Sequence, residues 1–125
     1  MNTFLKKAMP FFLVAMLVFT AFVPVDTQAA GTMTVRFIDV GQGDSTFVKF
    51  PSGHTMLIDG GKKGSGKTVV SKLKGWKVKK IDTLVATHPD ADHIGGLITV
   101  LNDIPVKSVY APKVSNNTKT YEEFL

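Results

Sequence analysis

The spacing of apolar residues changes between Met33 and Tyr110, and the change restricts the chain to a layered fold of strands and helices. Met33, Val35 and Phe37 alternate with Thr34, Arg36 and Ile38, and Asp39 continues the alternation of a predicted strand. Gly41-Gln42-Gly43-Asp44 is a glycine-rich turn, and the β-prone run Ser45 to Phe50 completes a hairpin. Pro51-Ser52-Gly53 turns the chain again into a third strand, Thr55 to Ile58, which ends at Asp59-Gly60-Gly61. The period then lengthens. Val69, Val70, Leu73 and Trp76 fall at helical intervals with lysines between them, which predicts an amphipathic helix over Thr68 to Gly75. Ile81 to Ala86 is an apolar run of strand length, Ile94, Leu97, Ile98 and Leu101 make a second helical face, and Val106 to Tyr110 is another short strand. The order βββαβαβ predicts an α/β layered domain.

Both ends of the chain carry expectations of their own. Lys6 and Lys7 precede an almost uncharged apolar stretch, Ala8 to Val23, and Thr27-Gln28-Ala29 has the small-x-small form of a cleavage site. Residues 1–29 therefore read as a signal peptide of bacterial type, leaving 30–125 secreted or at the cell surface without stable membrane association. The alternative is an anchor through residues 8–23; that run is shorter than the ~20 residues that comfortably span a bilayer, and Pro24 follows it. At the other end, Thr120 and Glu123 have the spacing of a capping box, yet Leu125 follows within a turn. So short a helix does not offset its nucleation cost alone, and the sequence is read as the N-terminal part of a longer fold.

Charge and cysteine content bound the chemistry. Eight of the fifteen basic residues lie between Lys62 and Lys80, concentrating the formal charge of +5. Such a run attracts DNA or another polyanion; its plainer reading is the solvated face of a helix. There is no cysteine, so disulfides are excluded and a metal has to be held by imidazole and carboxylate.

Two motifs compete for the functional site. Gly61-Lys62-Lys63-Gly64-Ser65-Gly66-Lys67-Thr68 fits the phosphate-binding pattern G-x-x-x-x-G-K-[ST] between a strand and a helix, which would make the chain a nucleotide-binding protein. An exported protein meets little nucleotide triphosphate, and the pattern also reads as a glycine-rich lead into a basic helix. The second motif is Thr87-His88-Pro89-Asp90-Ala91-Asp92-His93-Ile94-Gly95-Gly96-Leu97, which holds two of the three histidines. Pro89 keeps His88 extended at a strand end, and Gly95-Gly96 lies just beyond. Singly, Asp92 would cap the helix of Ile94 and His88 would be an ordinary strand-end histidine. Together, two imidazoles and two carboxylates in six positions point to a metal site.

That stretch resembles the His-x-His-x-Asp-His signature of the metallo-β-lactamase superfamily, with Asp90 where the second histidine stands. It is most similar to the branch of ComEC-type competence proteins. Phe37-Ile38-Asp39-Val40-Gly41-Gln42-Gly43-Asp44-Ser45, Leu57-Ile58-Asp59-Gly60-Gly61 and Leu84-Val85-Ala86-Thr87-His88 carry the resemblance further, in the same order, over Met33 to about Lys113. The resemblance implies an αβ/βα sandwich, truncated here to its N-terminal part, with two divalent metal ions, zinc or manganese, at one edge. By position His88 and Asp90 would ligate one metal and Asp92 and His93 the other. Asp92 would also orient the attacking hydroxide, and Asp59, Asp39 and Asp44 would support the site loops. The family's later ligands are expected beyond Leu125. The implied function is an exported metal-dependent hydrolase acting on a phosphodiester such as DNA; the alternative is a non-catalytic truncated product or polyanion-binding fragment.

Overall fold

The computed structural model describes residues 31–125, so the signal peptide expected over 1–29 and the anchor alternative over 8–23 lie outside the described residues. Strands β1 (Thr34–Phe37), β2 (Thr46–Lys49) and β3 (Thr55–Ile58) come first. A 3-10 turn over Lys63–Ser65 then leads into helix α1 (Gly66–Gly75), followed by β4 (Ile81–Val85), α2 (Ala91–Asp103), β5 (Val106–Tyr110) and α3 (Lys119–Phe124). The five strands form one sheet in the order β1-β2-β3-β4-β5. The tight turns between the first three strands make those pairs antiparallel, whereas the helical connections to β4 and β5 make those pairs parallel. Sheet and helices together supply an αβ layer pair of the expected α/β sandwich. No helix among the described residues is long and apolar enough to cross a membrane.

Cross-strand register sorts the residues into two faces. Arg36, Phe47, Leu57, Leu84 and Val109 lie in one row across the sheet. Phe47, Leu57 and Leu84 are buried there against Val69, Val70 and Leu73 of α1 and Ile94, Leu97 and Val100 of α2. The adjacent row, Phe37, Thr46, Ile58, Val85 and Tyr110, faces away from this core, and Phe37 and Tyr110 at its ends are 83% and 63% exposed. The apolar alternation at Met33, Val35 and Phe37 thus marks the strand and lies on its uncovered side. Arg36 takes the covered side, with its guanidinium 4.5 Å over the Trp76 ring, and Trp76 packs 5.7 Å from Phe47.

Several boundaries differ from the sequence reading for local reasons. β1 ends at Phe37, although the Ile38 amide still donates to the Ser45 carbonyl at 2.9 Å, and Ile38 and Val40 continue on the core side. Helix α1 starts at Gly66, ahead of Thr68, because the 3-10 turn already winds the chain. The cap position of α2 is Asp90, in extended conformation, and Asp92 lies inside the first turn. At α3 the cap is Thr118, whose hydroxyl accepts from the Tyr121 amide at 3.3 Å; Thr120 is inside the helix. Glu123 closes no capping box because the residue three on from the Thr118 cap is Tyr121; its carboxylate pairs with Lys63 of the 3-10 turn. Tyr121 and Phe124 pack on the core, which offsets the nucleation cost of so short a helix.

At the end of the sheet where β3 and β4 begin, buried Asp82 accepts from the Thr55 amide at 3.0 Å, the Thr55 hydroxyl at 3.1 Å and the Lys80 ammonium at 2.7 Å. The hydrogen bond from Lys80, followed by that from the Thr55 amide, holds its carboxyl far below the ordinary value of 3.8. A depressed folded-state pKa stabilises the fold above the unfolded value and loses that contribution as pH falls. Asp82→Asn should therefore lower the urea midpoint at pH 7, and its stability should fall less steeply than that of the parent below pH 3.8. Equal slopes in both proteins, measured by urea titrations across the acid range, would contradict this.

Candidate metal centre

The site is assembled where the parallel strands β3 and β4 end, the edge at which open α/β sheets present their ligands. Asp59 extends the ladder by one residue, its amide donating to the Val85 carbonyl at 2.9 Å. It then turns with a φ of 57°, a left-handed conformation that aspartate tolerates better than most residues. The following turn is tied to α2: the Gly60 amide donates to the His93 carbonyl at 2.8 Å and the Gly96 amide to the Gly61 carbonyl at 2.9 Å. The contact is so close that a Cβ on Gly96 would fall on the Gly60 carbonyl oxygen. From the other side, Gly43 at φ 87° presses the β1–β2 loop onto α2, and a Cβ there would fall on the Asp92 carbonyl oxygen. The Gly61 amide donates to the Asp44 carbonyl at 2.9 Å, joining the two loops.

Buried Asp59 is the centre of the polar cluster. Its Oδ1 accepts from the Thr87 amide at 2.9 Å, and its Oδ2 accepts from the Thr87 hydroxyl at 2.5 Å. The same Oδ2 lies 2.9 Å from His93 Nδ1. Thr87 Oγ1 is also 2.9 Å from His88 Nδ1, and the His88 and His93 rings lie 3.8 Å apart between centroids. One ligand atom from each of Asp59, His88 and His93 falls within 4.8 Å of the others. His88 Nε2 stands 3.5 Å from Asp90 Oδ2, so the cap position of α2 brings a second carboxylate to this group.

The remaining residues read as a site from the sequence are more dispersed. Asp92, in the first turn of α2, has its Oδ2 within 3.4 Å of the Gln42 side-chain amide. Asp44 is exposed, 4.0 Å from His93 Nδ1, and Asp39 accepts from the Gly41 amide at 3.0 Å within its own turn. His54 lies elsewhere, with Nε2 2.9 Å from the Thr83 hydroxyl. Thr87 and Gln42 were not singled out by sequence reasoning; adjacency to His88 and to the glycine turn was the only signal for either. Two imidazoles with neighbouring carboxylates and no thiolate form a donor set that fits a divalent cation. His93 with Nδ1 on Asp59 has the carboxylate–histidine arrangement that commonly orients a metal-binding imidazole.

The phosphate-loop pattern is used for packing. Ser65 and Gly66 are buried; Ser65 Oγ donates to the Val40 carbonyl at 2.9 Å, and a Cβ on Gly66 would come within 2.6 Å of Thr99 Cβ and 2.8 Å of the Gly96 carbonyl oxygen. Its small residues let α1 approach α2, while Lys62, Lys63, Gly64, Lys67 and Thr68 of the pattern stay exposed.

Comparison with known proteins agrees with this geometry. Residues 38–124 match the family model of the metallo-beta-lactamase superfamily. ComE operon protein 3 of Bacillus subtilis (strain 168) is 32% identical over 96 residues, covering 63% of this chain and 12% of that protein. Competence protein ComA of Neisseria gonorrhoeae is 34% identical over 100 residues, covering 78% of this chain and 14% of that protein. Ribonuclease Z of Clostridium kluyveri is 47% identical over 45 residues, covering 36% of this chain and 14% of that protein. The chain thus spans well under a fifth of the length of each of these relatives.

Because three protein donors converge on one buried carboxylate, replacing an oxygen with an amide leaves a donor facing a donor. Asp59→Asn should cost about 1–3 kcal/mol of stability, read as a lower urea midpoint with an unchanged slope. An unaltered midpoint would show that Asp59 does not hold the site loops.

Proposed function

The chain belongs to the metallo-beta-lactamase superfamily, and from that premise we propose that it is an exported, metal-dependent hydrolase acting on a phosphodiester such as DNA. The observation that carries the reading is the gathering of His88, His93 and Asp59, with Asp90 at its rim, at the ends of β3 and β4. In this reading His88, Asp90, Asp92 and His93 hold two divalent ions, zinc or manganese. The ions would supply Lewis-acid polarisation of a phosphoryl oxygen and an activated water at neutral pH. The chain's own groups do the placing: Asp59 and Thr87 fix the imidazoles, Gln42 restrains Asp92, and Asp92 orients the water. Asp39 and Asp44 shape the loop that closes on the start of α2. One relative is by name a ribonuclease, which supports a phosphodiester as the bond class, and two are competence proteins.

A second, non-catalytic reading as a polyanion-binding protein has its own observation. All eight lysines from Lys62 to Lys80 are exposed, and among the described residues only Lys63 and Lys80 of these have a carboxylate within 4.0 Å. Exposed cations without partners favour phosphate backbones, with affinity that falls steeply as salt rises.

The hydrolase reading predicts cleavage of single-stranded DNA or a simple phosphodiester ester by the full chain in manganese or zinc, ended by a chelator. Asp92→Asn should slow that cleavage by about 100-fold or more. If phosphodiesters, choline phosphate and lactams all survive while DNA is retained in a salt-dependent manner, the hydrolase reading is wrong and the binding one stands.

A further inference from the structure

A threonine hydroxyl has one proton, and that of Thr87 lies between two acceptors, Asp59 Oδ2 at 2.5 Å and His88 Nδ1 at 2.9 Å. A carboxylate accepts and does not donate, so the hydroxyl proton goes to Asp59 and the Thr87 oxygen is left to accept. His88 must then carry a proton on Nδ1, which in the neutral imidazole makes Nε2 the lone-pair nitrogen. The same carboxylate imposes the same choice on His93 directly, because Nδ1 faces Oδ2 at 2.9 Å and has to donate. In the neutral ring Nε2 is the lone-pair nitrogen of His93 as well.

We propose that Thr87 is a positioning residue that relays the Asp59 carboxylate to His88, so that one buried acid sets the tautomer of both imidazoles and keeps both Nε2 lone pairs available to a divalent cation. Three observations place the relay. The Thr87 amide donates to Asp59 Oδ1 at 2.9 Å, so the backbone that carries the hydroxyl is itself fixed by the acid it serves. The His88 and His93 rings lie 3.8 Å apart between centroids, so both imidazoles enter the same small space. His88 Nε2 lies 3.5 Å from Asp90 Oδ2, so in the neutral ring two acceptors face one another, an arrangement that a cation relieves. Partners of this kind to metal-binding histidines act by fixing ring orientation and tautomer. The cation part of the inference rests on the metal-site reading above, whereas the tautomer part stands without it.

The test uses the full chain, metal-free, with 15N-labelled histidine, and long-range proton–nitrogen correlation spectra of its three rings. His88 and His93 should each show a protonated Nδ1 and a bare Nε2. Thr87→Val, which keeps the shape and removes the hydroxyl, should shift His88 toward the other tautomer and leave His93 unchanged; Thr87→Ser should restore the parent pattern. Calorimetric titration with manganese or zinc should show affinity weakened by about 10–100-fold in Thr87→Val and near parental in Thr87→Ser. A proton on His88 Nε2 in the parent chain, or a Thr87→Val spectrum identical to the parent, overturns the relay. Should Thr87→Val fail to fold, the parent and Thr87→Ser spectra still decide it. Parental tautomers as stated with no metal binding would end the hydrolase reading and leave the relay in place.

Discussion

The Asp59 carboxylate is the constraint around which the functional end of the molecule is organised. A buried acid has to be matched by donors, and here the Thr87 amide, the Thr87 hydroxyl and His93 Nδ1 meet that need. Satisfying it draws three separate pieces of chain to one point: the end of β3, the segment after β4 and the first turn of α2. The left-handed backbone at Asp59 aims its side chain across the strand ends. The polar cluster is therefore a condition of the loop geometry, and the histidines inherit their placement from it.

Close backbone approach makes that placement possible. With Cβ atoms at Gly43 and Gly96, the β1–β2 loop would be pushed off the Asp92 carbonyl of α2 and the Gly60 carbonyl of the β3 turn would be pushed off α2. The same helix accepts α1 through Gly66, where a Cβ would meet Thr99 and the Gly96 carbonyl, so α2 packs against both the site loops and α1. The His93 side chain is 14% exposed there, whereas those of His88, Asp44 and Asp90, 42%, 80% and 62% exposed, lie at the rim.

The rest of the molecule separates its properties by layer. The helical layer buries the apolar core on the sheet and turns the lysines of residues 62–80 outward, while the opposite sheet face keeps Phe37 and Tyr110 exposed. At the end of the strands remote from His88 and His93, Asp82 joins Thr55 of β3 to Lys80 before β4 and secures the parallel register where the ladder starts. One carboxylate thus fixes each end of the central strand pair, Asp82 for pairing and Asp59 for the site.

Much of this was legible in the sequence because it follows from local periodicity. Alternation at Met33 to Phe37, helical spacing at Val69 to Trp76 and the compact run Ile81 to Ala86 determine element type and order, and two imidazoles beside two acids announce a cation-seeking stretch. Three things depend on contacts between residues far apart in the chain, which no local pattern encodes. Periodicity marks both faces of β1 and cannot say that Arg36, stacked on Trp76, is the one that faces the helices. The glycine-lysine pattern at Gly61 to Thr68 has the same letters whether its small residues cradle a phosphate or admit a neighbouring helix, and only Thr99 and Gly96 across the interface decide which. The union of Asp59 with Thr87 and His93, 28 and 34 residues away, was decided by the tertiary structure alone, because it is the parallel register of β3 and β4 that brings one buried charge to the donors it needs.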